Sequence, residues 1–249
     1  MNKLLLEICA NSVESAFLAQ LGGAHRVELC ENIYEGGTTP SYGAIRLARK
    51  MLDIELNIII RPRGGDFLYS ESEFEIMCED IVMAKQLGAD GVVFGFLLPD
   101  GSVDTKRTQK LVKLAKPMNV TFHRAFDVCK DPYLALEEII GCGCNRILTS
   151  GRANKAENGT ELLKKLVETA NGRIIIMPGS GIDESNIEEI YKETGVNEFH
   201  ASLRTSFESP MIYRNTEISM GTHAENEYKR LLTDPDRVKK VIEILSRIK

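Results

Sequence analysis

Four stretches of the chain share one local pattern: a helix-forming run ends in glycine, a short turn follows, and an apolar, β-prone run begins. They are AQLGGAHRVEL (19–29), KQLGADGVVF (85–94), IGCGCNRILTS (140–150) and KETGVNEFHAS (192–202). Glycine at that point suits the left-handed cap of a helix, and the Val, Ile and Phe residues beyond it suit a strand. Adding LLLEICA (4–10), ELNIIIRPR (55–63), MNVTFHRAF (118–126) and GRIIIMPGSG (172–181) predicts eight strands with helical pattern between them. Alternation of this kind points to a parallel α/β fold. The rival is an open doubly wound sheet. The barrel is preferred because eight units fill 249 residues and no Gly-x-Gly-x-x-Gly turn follows the first strand. The expectation is an α/β, TIM-like (β/α)8 barrel, one domain over residues 1–249. Its C-terminal part, 205–249, is read as a loop near FESPMIYRNTE (207–217) and a closing helix from about Pro235.

Capping signals support the helices. Ser70 and Glu73 form a capping box ahead of FEIMCEDIVMAKQLG. Thr39–Pro40 and Asp131–Pro132 each place a capping residue before a proline at the first helical position, and Asp183 opens ESNIEEIYKETG. The balance of 31 basic against 36 acidic residues, with no basic stripe, argues against nucleic acid as a partner. No run approaches 18 apolar residues, and the N-terminus reaches Glu7 too soon for a signal sequence, so neither a membrane nor export is expected. The six cysteines then read as reduced thiols in a cytoplasmic protein.

Strands buried on both faces should be almost wholly apolar, and here several are not. Alternation puts Leu4, Leu6 and Ile8 on one face of the first strand, which leaves Glu7 and Cys9 on the other. In the second strand Val27 and Leu29 face helices, leaving Glu28 and Cys30 inward; Thr121 and His123 follow the same rule in the fifth. Arg61 and Arg63 end the third strand, and Arg124 and Asp127 follow the fifth. The remaining polar strand ends carry Thr149–Ser150–Gly151–Arg152, Pro178–Gly179–Ser180–Gly181, and His200 with Ser202. Buried charge persists only when paired or bound to ligand or metal. A structural Glu–Arg network would satisfy that rule. A site is the favoured reading, because barrel enzymes place theirs at the C-terminal strand ends.

The RPRGGDF loop (61–67) sets Arg61 and Arg63 beside a glycine turn and Asp66, and arginine forks suit carboxylate or phosphate. The turns around Thr149–Ser150 and Gly179–Ser180–Gly181 could offer backbone N–H groups to the same anion, with His200 and Ser202 beside them. Among the cysteines, Cys142 and Cys144 fall on the N-terminal face and Cys78 within an amphipathic helix, so packing accounts for them. Cys9 and Cys30 each follow an inward glutamate by two residues on neighbouring strands. Strands in register would lie ~4.8 Å apart. A metal between two thiolates would hold the sulfurs about 4.5 Å apart at ~2.3 Å per bond. Soft thiolates favour Cu(I) or Zn, while burial as packing residues remains the alternative.

Taken in order, LEICANSVESA, GGAHRVELCENIYEGGTTPS, IIIRPRGGDFLYSESEF, LGADGVVFGFLLPDGSVD, VTFHRAFDV, ILTSGR, IIIMPGSGI and EFHAS resemble the CutC family. The likeness runs over about residues 3–204, and RPRGGDF, GADGVVFG and TFHRAFD in succession carry its specificity. The resemblance implies a TIM-like barrel, a cytosolic location and a copper-homeostasis role, with Cu(I) held by Cys9 and Cys30 in their EIC and RVELC contexts. Two functional readings stand side by side. One is a copper-binding or copper-handling protein using Cys9 and Cys30. The other is a barrel enzyme acting on a small anionic substrate, phosphorylated or not, at the C-terminal face of the barrel. In that reading Glu7 or Glu28 serves as acid or base, His123 shuttles protons, and Arg61 and Arg63 clamp the anion. In a homo-oligomer, EGGTTPS (35–41) and FESPMIYRNTE are the segments expected to meet a second copy.

Overall fold

A computed structural model describes residues 4–218, 220 and 226–248. The outermost residues of the expected 1–249 domain, Met1–Lys3 and Lys249, lie outside that range, as do Ser219 and residues 221–225. Among the described residues, eight parallel strands alternate with helices: β1 (Leu5–Ala10), α1 (Val13–Leu21), β2 (Arg26–Leu29), α2 (Tyr42–Met51), β3 (Glu55–Ile59), α3 (Glu71–Gln86), β4 (Gly91–Phe94), α4 (Thr105–Ala115) and β5 (Asn119–Phe122). There follow α5 (Pro132–Cys142), β6 (Arg146–Thr149), α6 (Thr160–Ala170), β7 (Ile175–Pro178), α7 (Ile187–Thr194) and β8 (Glu198–Ala201). An antiparallel hairpin of β9 (Arg204–Glu208) and β10 (Lys229–Thr233) precedes the last helix, α8 (Pro235–Arg247).

The strand order β7-β6-β5-β4-β3-β2-β1-β8 is that of a barrel, and a parallel bridge between Gly179 and His200 joins its two ends. Closing such a sheet requires its strands to tilt and to stagger against one another. Outward side chains such as Leu6, Ile8, Val27, Leu29, Leu56, Ile58, Phe94, Phe122 and Phe199 are fully buried against the helix ring. The helices supply the other half of that core from one face each, for example Ile45 and Ala48 of α2 and Val238, Val241 and Leu245 of α8. At ~25 cal/mol per Å2 of apolar surface, this strand–helix layer is the main source of stability. No helix among the described residues is long and apolar enough to cross a membrane.

Local signals act largely where the sequence places them. The capping box at Ser70 and Glu73 is formed in both directions, and Asp131 caps α5 with Pro132 in its first turn. Gly23, Gly88, Gly143 and Gly195 all adopt positive φ at the helix-to-strand junctions. Three expectations shift. Ser41, not Thr39, caps α2 by accepting the Ala44 N–H, while the Thr39 hydroxyl accepts the Arg61 N–H. Asp183 caps only a turn, through the Ser185 N–H, and α7 begins after Asn186. The segment read as a loop near 207–217 begins inside strand β9, because hairpin pairing with β10 supplies hydrogen bonds that local sequence does not announce.

Candidate functional site

The inward faces of β1, β2, β3, β6 and β8 build a stacked set of polar side chains. In the lower layer Arg26 lies 2.5 Å from Glu7 and 2.6 Å from Glu198, and Arg146 lies 2.6 Å from the same Glu198 oxygen. Asn57 donates to Glu7 at 3.0 Å. Two guanidinium groups therefore face two carboxylates in a closed space, which is how buried charge is retained. The Arg26 guanidinium is held more firmly charged than usual, its neighbours Glu7 and Glu198 outweighing the burial that would lower it.

The next layer is anchored on this one. The second Glu7 oxygen meets Nδ1 of His200 at 2.7 Å, which leaves Nε2 turned toward Glu28, 3.6 Å away. Burial alone would raise the Glu7 carboxyl, but Arg26 and His200 hold it well below its usual range. Burial pushes Glu28 up to about 8, with the nearby His200 opposing that rise. For His200 burial acts downward, and the Cys9, Glu7 and Glu28 groups around it overcome burial and raise it well above its ordinary value. Above this layer the Cys9 and Cys30 sulfurs lie 3.7 Å apart, and Nη2 of Arg204, on β9, reaches Cys9 Sγ at 3.3 Å. Its close partner thiol Cys30, and then burial, keep the Cys9 thiol well above its usual value.

The two cysteines do not sit opposite one another, as matching positions on in-register strands would have them. Glu7 pairs with Arg26 and Cys9 with Glu28, so Cys30 lies two residues further along its strand. Barrel stagger is the cause, and it brings Glu28 beside Cys9 while the side chains still close the gap between the thiols. All six cysteines are free, and Cys142 and Cys144 are buried on the opposite face of the barrel, as packing residues would be.

Other residues singled out from the sequence lie elsewhere. His123 is buried across the barrel against Phe67, with ring centroids 4.8 Å apart; its Nδ1 accepts the Ala125 N–H, and Nε2 has no partner among the described residues. Burial, and then the Arg61 cation, depress it to about 3. The terminal nitrogens of Arg61 are held by the carbonyl oxygens of Glu35, Gly37 and Gly65. Arg63 pairs with Glu73 and Asp66 and stacks over Tyr69. Both arginines thus brace the RPRGGDF loop, and Asp66 is an exposed member of that brace. Thr149 and Ser150 donate to Asp127, and the Ser180 hydroxyl donates to the Asn154 carbonyl. Ser180 and Gly181 have positive φ, Gly179 carries the closing bridge, and Ser202 is half-buried just beyond β8. The structure therefore unites Glu7, Glu28, Cys9, Cys30 and His200, with Gly179 bridged to His200, while Arg61 and Arg63 are committed to their own loop.

Sequence reasoning passed over Arg26, Asn57, Arg146, Glu198 and Arg204. The first and fourth were legible, since Arg26 and Glu198 lie two residues before Glu28 and His200 and share their face. Arg204 carries no such sign, because it enters the site from the hairpin.

Known proteins match most of the chain. The family model described as the CutC family matches residues 4–205. The family protein CutC of Bacteroides thetaiotaomicron is 56% identical over 247 residues, covering 98% of this chain and 99% of its own. The copper homeostasis protein cutC homolog of Mus musculus is 47% identical over 239 residues, covering 96% of this chain and 88% of its own. A solved CutC structure from Streptococcus agalactiae superposes with a TM-score of 0.76 at 38% identity, covering 80% of this chain and 98% of that one. The chain belongs to the CutC family.

Proposed function

We propose that this chain serves copper homeostasis by holding Cu(I) between the Cys9 and Cys30 thiolates at the barrel mouth. The observation that carries the reading is the 3.7 Å separation of the two sulfurs, contributed by neighbouring strands. Two bonds of ~2.3 Å spanning that gap meet at roughly 110°, so the thiols are already within clasping distance of one ion. A linear arrangement needs the sulfurs to part by about 1 Å more. Cys9, the less buried of the two, gives the ion access, and buried Cys30 holds it away from water. Soft thiolates select Cu(I) over harder ions. A Cu(I) bis-thiolate carries one net negative charge, and the Arg204 guanidinium against Cys9 Sγ offsets it. Thiols of this kind stay available in a reducing, cytoplasmic compartment.

Metal binding must expel the thiol protons, and the raised Cys9 thiol makes that displacement costly at low pH. Apparent affinity should therefore climb roughly tenfold per pH unit for each proton displaced. The test is anaerobic titration of Cu(I), against a competing chelator, into the reduced protein and its Cys9→Ala/Cys30→Ala form. The reading requires one tight equivalent in the first and its loss in the second. Equal affinity in both would end it.

A further inference from the structure

We infer that Cys9, Glu28 and His200 form a second metal position, overlapping the first through Cys9, that takes a divalent ion of borderline softness such as Zn(II). The proposal rests on the copper reading only in sharing that thiol. One ligand atom from each of the three residues lies within 4.8 Å of the other two. Zn–ligand bonds of ~2.0–2.3 Å call for separations of about 3.5–4 Å, so drawing the side chains in by about 1 Å closes the set. Cys30 is not a member of this group, although its sulfur touches Cys9. Cys9 therefore faces two donor sets, one of sulfur alone and one of sulfur, nitrogen and oxygen.

Orientation and charge both favour an ion in the second set. Glu7, fixed by Arg26 and Asn57, holds Nδ1 of His200 at 2.7 Å and so aims Nε2 at Glu28. A carboxylate behind a histidine is the usual support of a metal-binding imidazole. A thiolate and a carboxylate cancel a divalent charge, and a neutral imidazole adds none, so the complex is neutral in a site where Glu28 and His200 are almost fully buried. The nitrogen and oxygen donors suit a borderline divalent ion better than Cu(I), so donor softness separates the two positions. Three protein ligands leave a fourth coordination position for water or a further ligand.

The test titrates Zn(II), against a chromophoric chelator, into the reduced metal-free protein, with Co(II) as a spectroscopic probe of thiolate coordination. Wild type should bind one equivalent, and the Co(II) complex should show a sulfur-to-metal charge-transfer band that Cys9→Ala abolishes. Cys30→Ala should keep Zn(II) affinity within a few fold while losing Cu(I). Glu28→Gln, which preserves shape and does not touch Glu7, and His200→Gln should weaken Zn(II) by more than the 10–100-fold typical of losing an outer-shell partner. Both should lower Cu(I) affinity far less than Zn(II) affinity, and circular dichroism would establish that each variant is folded. If wild type takes up no Zn(II), or if Cys30→Ala loses it as fully as Glu28→Gln, the second position does not exist. Zn(II) binding that follows Glu28 and His200 in a protein without Cu(I) affinity would retain this inference and remove the copper reading.

Discussion

Replacing Arg26 with methionine probes the charge balance on which the whole site stands. Arg26 is 2% exposed and faces Glu7 and Glu198 at 2.5 and 2.6 Å, with Arg146 as the remaining cation in the layer. Its removal leaves Glu7 and Glu198 with one guanidinium and the His200 imidazole, which Glu28 also draws on. Breaking a buried pair on one side costs about 3–5 kcal/mol. The variant can relieve the charge by protonating Glu7. From an ordinary value of 4.5, taking up that proton at pH 7 costs about 3.4 kcal/mol, within the same range. The pH dependence distinguishes this cause from lost packing. In wild type Glu7 is depressed, so its contribution is complete above 4.5 and is lost only as pH falls below that. In Arg26→Met the carboxyl is raised, so each pH unit between 7 and 5 lowers the penalty by about 1.4 kcal/mol. Urea denaturation should show a deficit near 3–4 kcal/mol at pH 7 that shrinks by about 2–3 kcal/mol at pH 5. Arg26→Met/Glu7→Gln should recover most of the loss at pH 7. A deficit below about 1 kcal/mol at pH 7, or one equal at both pH values, would refute the assignment of Arg26 as the neutralising charge.

Two further outcomes follow from particular contacts. In Gly159→Ala the new Cβ would lie 2.0 Å from the Ser150 carbonyl oxygen and 2.9 Å from Gly151 Cα. Both are backbone, so relief requires the β6 loop and the start of α6 to part, and about 1–3 kcal/mol of stability should go. That corresponds to a fall in Tm of about 2–4 °C per kcal/mol, and an unchanged melting curve would rule out the close approach. His123 is depressed from 6.5 to about 3, so the unfolded chain binds a proton that the folded one refuses. Its stabilisation is complete above pH 6.5 and declines as pH falls toward 3. Wild type should lose about 2 kcal/mol between pH 7 and pH 5 relative to His123→Phe, measured by urea denaturation at each pH. Parallel pH profiles for the two proteins would mean that His123 is free to ionise.

The sequence by itself determines the architecture, because periodicity and caps are local. The helix-to-strand glycines, the Ser70–Glu73 box and eight apolar strand patterns are each read within a few residues, and together they specify a barrel. Strand alternation likewise reveals that Glu7, Cys9, Glu28, Cys30 and His200 point inward, since side-chain direction follows from parity alone. Which of them meet is not local. Register offsets the cysteines by two residues and sets Glu28 beside Cys9, a consequence of closing the sheet that no single strand encodes. The same closure carries Glu198 and His200 from the last strand onto Arg26 and Glu7 of the first two. Arg61 and Arg63 look like an anion clamp in one dimension, and only the folded RPRGGDF loop shows their nitrogens held by Glu73, Asp66 and backbone carbonyls. Arg204 reaches Cys9 from a hairpin whose pairing depends on chain some 25 residues further on. Composition and pattern decide what can be buried; the barrel's stagger decides which buried groups share a charge, a proton or a metal.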